Sequence, residues 1–276
     1  MPPHSEDREK KPNAARIYDY LLGGSYNTEA DRWAAEQLLK SSPTIRSVAL
    51  TNRAFLRRAV TFLVRQGIDQ FLDIGSGIPT AGNVHEVAHQ YNPQARVVYA
   101  DIDPMAVALS IDILQDTPHA TAIDGDLTEP DLILTHSETR RVLDFSRPIA
   151  LLLVSMLHFV TSDRAAYQAV AHLRGTLPAG SYLVITHGTF ENADAEQLQK
   201  ATELYKRSAN PLRVRTRAEI AAFFDTWQLV DPGLVWIPEW HPDGSEDFFR
   251  DTPEQSGILA GAARQADVST PASSDV

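Results

Sequence analysis

Three short segments, each placed after an apolar run or a turn, carry the chemistry this sequence can do. Gly75-Ser76-Gly77 follows Phe71, Leu72 and Ile74; Asp101-Ile102-Asp103 follows Val97 to Ala100; Asp126-Leu127 follows Gly125. Glycines after a strand let the backbone turn sharply and let a ligand approach where a Cβ would block it. A helix beginning just beyond presents unpaired N–H groups and the positive end of its dipole, which suit a carboxylate or phosphate. A carboxylate ending the next strand accepts hydrogen bonds from ribose hydroxyls, and Asp101 stands there. Asp126 can accept from an adenine amino group, or it can serve as a turn residue. Dinucleotide-binding folds place a third glycine three residues after the second, and here that position is Thr80. The three segments together describe a pocket of adenosine size rather than dinucleotide size.

Two further strand ends supply titratable groups. Ser155-Met156-Leu157-His158 follows the run Ile149–Val154, and His187 follows Tyr182–Thr186. His158 is the first candidate for a general base and His187 a weaker second, with a hydrogen-bonded structural histidine as the alternative for His158. His136 and His172 read as surface residues. A competing pattern is His85-Glu86-Val87-Ala88-His89, which on a helix can bind zinc with the glutamate as base. Val84, Val87, Ala88 and Tyr91 make that helix's apolar face, and Asn92 and Ala95 stand where a third ligand would be needed. A zinc hydrolase is therefore a distant alternative.

The elements that must position these residues follow from periodicity. Residues 13–67 read as a helical cap of three helices. The first is Ala14–Leu22, ending at Gly23-Gly24, and the second is Thr28–Leu39. The third is capped by Ser42, has Pro43 as its first residue, and runs to Gly67. Residues 68–264 alternate strands and helices. Strands are expected at Gln70–Ile74, Arg96–Ile102, Thr121–Ile123, Ile149–Leu157 and Tyr182–Thr186. Helices are expected at Thr80–Tyr91, Pro104–Leu114, Asp131–Ser137 and Asp163–Leu173. That order implies a parallel sheet covered on both faces. Helices near Ala193–Lys206 and Arg217–Phe224 follow. Two short strands, around Leu229 and at Leu234–Ile237, flank the turn Asp231-Pro232-Gly233 and are expected to pair as an antiparallel hairpin. Residues 1–12 and 265–276 read as disordered tails.

Composition narrows the function. With 25 basic and 36 acidic residues the chain carries a net charge of -11, and no basic cluster suits a nucleic acid. There is no cysteine, which removes thiolate metal sites, thiol nucleophiles and disulfides. No apolar run is long enough for a membrane span or a signal peptide, so a cytoplasmic location without membrane contact is expected. Oligomeric state is not legible.

The binding segments are similar to those of class I S-adenosylmethionine-dependent methyltransferases: Asp73-x-Gly75-x-Gly77, Tyr99-Ala-Asp101-Ile-Asp103-Pro104 and Gly125-Asp126-Leu127. More narrowly, residues 12–264 resemble the bacterial DUF574 S-adenosyl methyltransferase family. The residues that carry this are Ala15 to Gly24 (with Tyr-Asp-Tyr-Leu-Leu-Gly-Gly as the specific marker), Asn27, Asp31-Arg32, Asn52-Arg53, Gln70 to Thr80, His85, Val97 to Pro104, and Asp231 to Val235. The resemblance implies a Rossmann-like α/β fold with a mostly parallel seven-stranded sheet, a C-terminal antiparallel hairpin and an N-terminal helical extension. It also implies S-adenosylmethionine as cofactor. By carry-over, Gly75, Ser76 and Gly77 border the methionine moiety, and Asp101 and Asp103 lie at the ribose. Ile102 packs on the adenine, Asp126 holds its amine, and Leu127 covers its face. Asp73 orients the ligand ammonium or ties down the loop. Ser155, at the end of the fourth strand, joins the cofactor-binding set by position. Tyr20, Gly23 and Gly24 join it as part of a lid. The expected activity is methyl transfer to a small molecule; a non-catalytic module that binds the same ligand uses the same pocket.

Overall fold

The computed structural model describes residues 12–79, 82–189, 191, 212–244 and 248–266. Three helices open the chain: α1 (Ala14–Leu21), α2 (Glu29–Ser41) and α3 (Ile45–Arg65). Asn13 caps α1, its side chain accepting from the Ala15 N–H at 2.7 Å. The chain leaves that helix through Gly23 at φ +84°, a conformation glycine adopts without a Cβ penalty. Thr28 and Asp31 cap α2 reciprocally, a capping box. The start of α3 differs from expectation. Ser42 closes α2, its N–H donating to the Leu38 carbonyl, and α3 begins after Thr44 with no side-chain cap.

Five parallel strands follow: β1 (Gln70–Ile74), β2 (Arg96–Asp101), β3 (Ala120–Asp124), β4 (Ala150–Val154) and β5 (Tyr182–Gly188). The sheet runs β3-β2-β1-β4-β5 and is extended by β8 (Ile258–Arg264) and β6 (Gln228–Leu229). β1 has β2 on one side and β4 on the other. The strand order therefore reverses at the carboxyl end of β1, where open α/β sheets leave a crevice for ligands.

The alternating helices are α4 (Val84–His89), α5 (Pro104–Leu114), α6 (Pro130–Thr135), α7 (Ser137–Val142), α8 (Asp163–Thr176) and α9 (Arg217–Ala221). β4 shows why two layers of helices are needed. Its Leu151 and Leu153 enter one core with Ile133, Val170 and Ile220, while Ala150 and Leu152 enter the other with Phe55, Val60 and Val87. Successive strand residues face opposite sides, so an unbroken apolar strand demands cover on both.

The mostly parallel sheet with a C-terminal antiparallel part agrees with expectation, but among the described residues it has eight strands rather than seven, and the antiparallel pairing is differently made. Leu229 and the strand β7 (Val235–Trp236) do not pair with each other; both pair with β8, which itself runs antiparallel to β5. β8 escaped the sequence reading because Ala260, Gly261, Ala262 and Ala263 have low strand propensity. Small residues are needed there: a Cβ on Gly261 would lie 3.3 Å from Leu234 and Phe224 side-chain atoms. Several bounds also shift. Helix α4 starts at Val84 rather than Thr80, and β4 stops at Val154 rather than Leu157. The helix expected at Asp131–Ser137 is instead two, parted by His136 in an extended conformation. The helix expected near Ala193–Lys206, and nearly all of both tails, lie outside the described residues. Among the described residues no helix is long and apolar enough to cross a membrane.

Candidate functional site

Beyond β1 the chain turns through Gly75 at φ +71° and Gly77 at φ +64°. The backbone of the turn is held by β2: the N–H of Gly75 donates to the Ala100 carbonyl at 2.8 Å. Gly77 donates to Asp101 Oδ2 at 2.7 Å, and Asp103 N–H to Asp101 Oδ1 at 2.9 Å. Burial pushes the Asp101 carboxyl up, against the pull of those backbone N–H groups. Each of its oxygens keeps a second acceptor site. Gly75 is also required sterically, since a Cβ there would come within 2.5 Å of Met156 Cβ.

Asp73 lies at the base of this turn, 5% exposed. Among the described residues no donor pairs with its carboxylate, and residues 80 and 81 of the same loop lie outside them. Burial pushes Asp73 up to about 7, with Arg53 pulling down and Asp101 pushing up. A buried carboxylate without a partner is costly, and that cost is what holds its proton here.

The N-terminal helices sit against the same place. Ala15 Cβ lies 3.6 Å from where a Cβ on Gly77 would stand. Arg16, buried, donates to Asp31 Oδ2 at 2.8 Å and to Asp103 Oδ2 at 2.9 Å. Asp103 also caps α5 through the Met105 N–H, so it links α1 to α5 beside the position expected for the ribose. Burial would raise Asp31, but hydrogen bonds from Thr28, Arg16 and two backbone N–H groups hold it below the usual carboxylate range. Gly24 is shaped by Asp19, whose Oδ1 would lie 2.0 Å from an added Cβ. Gly23 and Gly24 thus carry a structural demand of their own. The rings of Tyr18 and Tyr20 carry the guanidinium groups of Arg53 and Arg46, at 5.8 and 5.9 Å from the centroids.

At the ends of β2 and β3, where the resemblance implies an adenine, Ile102 is 63% exposed and Leu127 is buried. Asp126 Oδ1 accepts from both the N–H and the hydroxyl of Thr128 at 2.8 Å. The turn role of Asp126 is therefore present, and its second oxygen takes no part in it.

The ends of β4 and β5 form the far wall. Ser155, at φ +53°, donates its N–H to Thr186 Oγ1 at 2.8 Å. Thr186 donates to Asn52 Oδ1 at 2.8 Å, and Asn52 donates to the Tyr18 hydroxyl at 3.0 Å. This chain ties β4 and β5 to α3 and α1. His158 lies in the short 3-10 turn Leu157–Phe159 with its Nδ1 buried and unpartnered. Burial, then His187 and Arg215, push it down to about 3. His187 has both nitrogens engaged. Its Nδ1 donates to the Gly188 carbonyl at 2.7 Å, and its Nε2 accepts from Arg215 Nη1 at 2.9 Å. Burial pushes it down to about 4. Arg215 also donates to the Leu157 and Val160 carbonyls and pairs with Asp163, so it fixes the turn that carries His158.

The histidine–glutamate pattern is used for architecture. His85 Nδ1 and its backbone N–H both meet the Tyr99 hydroxyl, at 2.8 and 2.9 Å. His89 Nε2 donates to the Ala95 carbonyl at 2.9 Å, and Glu86 accepts from the Gly82 and Asn83 N–H groups. Among the described residues no three metal-ligating side chains cluster. Sequence reasoning missed Arg16, Asn52, Arg53 and Arg215 as parts of the site; the only signal for the first three was their place in the family-like segments.

A profile of the family described as S-adenosyl methyltransferase matches residues 3–266. A Thermobifida fusca structure, described as a candidate methyltransferase, is 40% identical. It superposes with a TM-score of 0.87 over 96% of this chain and 99% of that one. A DUF574 family protein from Streptomyces avermitilis is 38% identical, with a TM-score of 0.87 over 93% and 98%. An O-methyltransferase family protein from Burkholderia thailandensis, 14% identical with a TM-score of 0.52 over 90% and 67%, shares the fold alone. No curated protein matches.

Proposed function

The chain belongs to the S-adenosyl methyltransferase family, and on that footing we propose that it methylates a small-molecule acceptor. In this reading S-adenosylmethionine is held over Gly75–Gly77 and the ends of β1, β2 and β3. The observation that carries it is the buried Asp73 carboxylate at the base of the glycine turn, which has no partner among the described residues. The side chains present fit such a ligand. Asp73 suits an ammonium, Asp101 retains acceptor capacity for ribose hydroxyls, exposed Ile102 offers an apolar face to a purine, and Asp126 has an oxygen to spare for an amine. Tyr20, Gly23, Gly24 and Ser155 contribute indirectly, by shaping α1 and its tie to the far wall.

Bound there, the cofactor supplies an electrophilic methyl group on a sulfonium, with a neutral thioether as leaving group. What remains for the protein is positioning and exclusion of water. The three N-terminal helices and the β4–β5 wall provide both. His158 is neutral at physiological pH; its unpartnered Nδ1 is enclosed, so in this reading an acceptor hydroxyl or amine meets the other ring nitrogen. Its low proton affinity makes it a weak base. His187, with no free nitrogen, is a structural wall. A net charge of -11 opposes a nucleic-acid acceptor, whose binding depends on cationic contacts to phosphate.

Calorimetric titration with S-adenosylmethionine and S-adenosylhomocysteine tests the reading, with Asp101→Ala as control. Binding by the native protein and weakened binding by the variant are expected. If neither ligand binds, or if NAD binds in their place, the reading fails.

A further inference from the structure

We propose that Arg53, with Asn83 beside it, is the carboxylate-binding pole of the methyl donor's amino-acid end, facing Asp73 as the ammonium pole. This rests on the cofactor reading above and adds a specificity to it: the site recognises the whole zwitterion, not only the nucleoside.

Arg53 lies in the middle of α3 and reaches the segment just after the glycine turn. Its Nη1 donates to Asn83 Oδ1 at 2.8 Å, and its Cδ stands 4.0 Å from where a Cβ on Gly82 would be. The Tyr18 ring lies beneath its guanidinium. Its charge acts on Asp73, yet no hydrogen bond joins the two among the described residues. The arrangement leaves matching vacancies in hydrogen bonding. Among the described residues, Arg53 Nε and Asn83 Nδ2 are buried donors with no acceptor, and the Asp73 carboxylate, on a residue 5% exposed, accepts no hydrogen bond.

Two buried orphan donors on neighbouring side chains are expensive to keep. An α-amino acid carries an anionic acceptor and a cationic donor on one carbon, and so satisfies both poles at once. A guanidinium is the side chain best matched to a carboxylate. The carboxylate could instead belong to the acceptor molecule, and the ligand comparison below separates the two sources.

The test measures affinity for S-adenosylhomocysteine and for its decarboxylated analogue, which keeps the amine and lacks the carboxylate. The native protein should prefer the carboxylated ligand by roughly 10- to 100-fold, the size expected for a charge-assisted contact. Arg53→Gln should abolish that preference by weakening only the carboxylated ligand. Arg53→Lys should restore part of it. Equal affinities in the native protein, or an equal loss for both ligands in Arg53→Gln, would overturn the proposal while leaving the cofactor reading intact. A carboxylate contributed by the acceptor would give that same first result. Should the native protein bind neither ligand, the cofactor reading itself falls. The comparison in the native protein needs no variant, so a poorly folding Arg53→Gln does not block the test.

Discussion

Replacing Asp73 with asparagine should stabilise the ligand-free protein and destroy its grip on the cofactor. An aspartate in an unfolded chain titrates near 3.8, and burial pushes Asp73 up to about 7. Between those values the folded protein holds a proton that the unfolded chain has already released. Stability therefore falls as pH rises from about 4 to about 7, and the penalty is complete above that. At 1.36 kcal/mol for each pH unit between the two, the penalty is about 4 kcal/mol. Asparagine keeps the shape and removes the titration. Melting temperatures of the two proteins should be close at pH 4 and diverge by on the order of 10 °C at pH 8, at roughly 2–4 °C per kcal/mol. Saturating S-adenosylhomocysteine should raise the native melting point and barely move that of the variant. Native affinity should also climb between pH 5 and pH 7 as Asp73 ionises. Parallel melting curves across pH would refute the burial reasoning, and undiminished ligand binding by Asp73→Asn would refute the ammonium assignment.

Other perturbations read different parts of the same site. Arg16→Ala leaves Asp31 and Asp103 buried without their cation and should cost about 3–5 kcal/mol in chemical denaturation. Gly75→Ala places a Cβ 2.5 Å from Met156 Cβ at φ +71°; melting and ligand titration should both suffer, and adding Met156→Gly, which removes that Cβ, should relieve the clash but not the backbone strain. His158 and His187, pushed down to about 3 and about 4, should show no imidazole titration by NMR between pH 5 and pH 8. Their neutrality also means that stability is lost as pH falls below about 6.5, where the unfolded chain gains protons first.

The parallel half of the fold was legible because its signals are local. A glycine turn, an Asp-Pro helix start or an unbroken apolar run each announces itself within a few residues. The C-terminal edge was not legible, because β8 is written in alanine and glycine and is a strand only by virtue of its neighbours. β6 and β7 are two residues each, too short for periodicity, and the turn at Asp231-Pro232-Gly233 suggested a pairing that β8 intercepts. The split of α6 from α7 at His136 likewise left no mark in hydrophobic spacing.

For the site, spacing located the strand-end residues but not their partners, and the partners change the chemistry. The resemblance puts Asp103 beside the ribose; the fold adds that it anchors α1 through Arg16 and caps α5. His187 reads as a base and proves to be held at both nitrogens. The reverse holds for Arg53, a helix residue with no strand-end signal, whose charge acts on Asp73 in the fold. Among the described residues, these two residues of opposite charge, twenty positions apart in the chain, keep hydrogen-bonding capacity that no side chain meets, whereas Arg16 pairs with both Asp31 and Asp103. That contrast is what a place kept for a ligand predicts, and the affinity comparison with the decarboxylated analogue decides it.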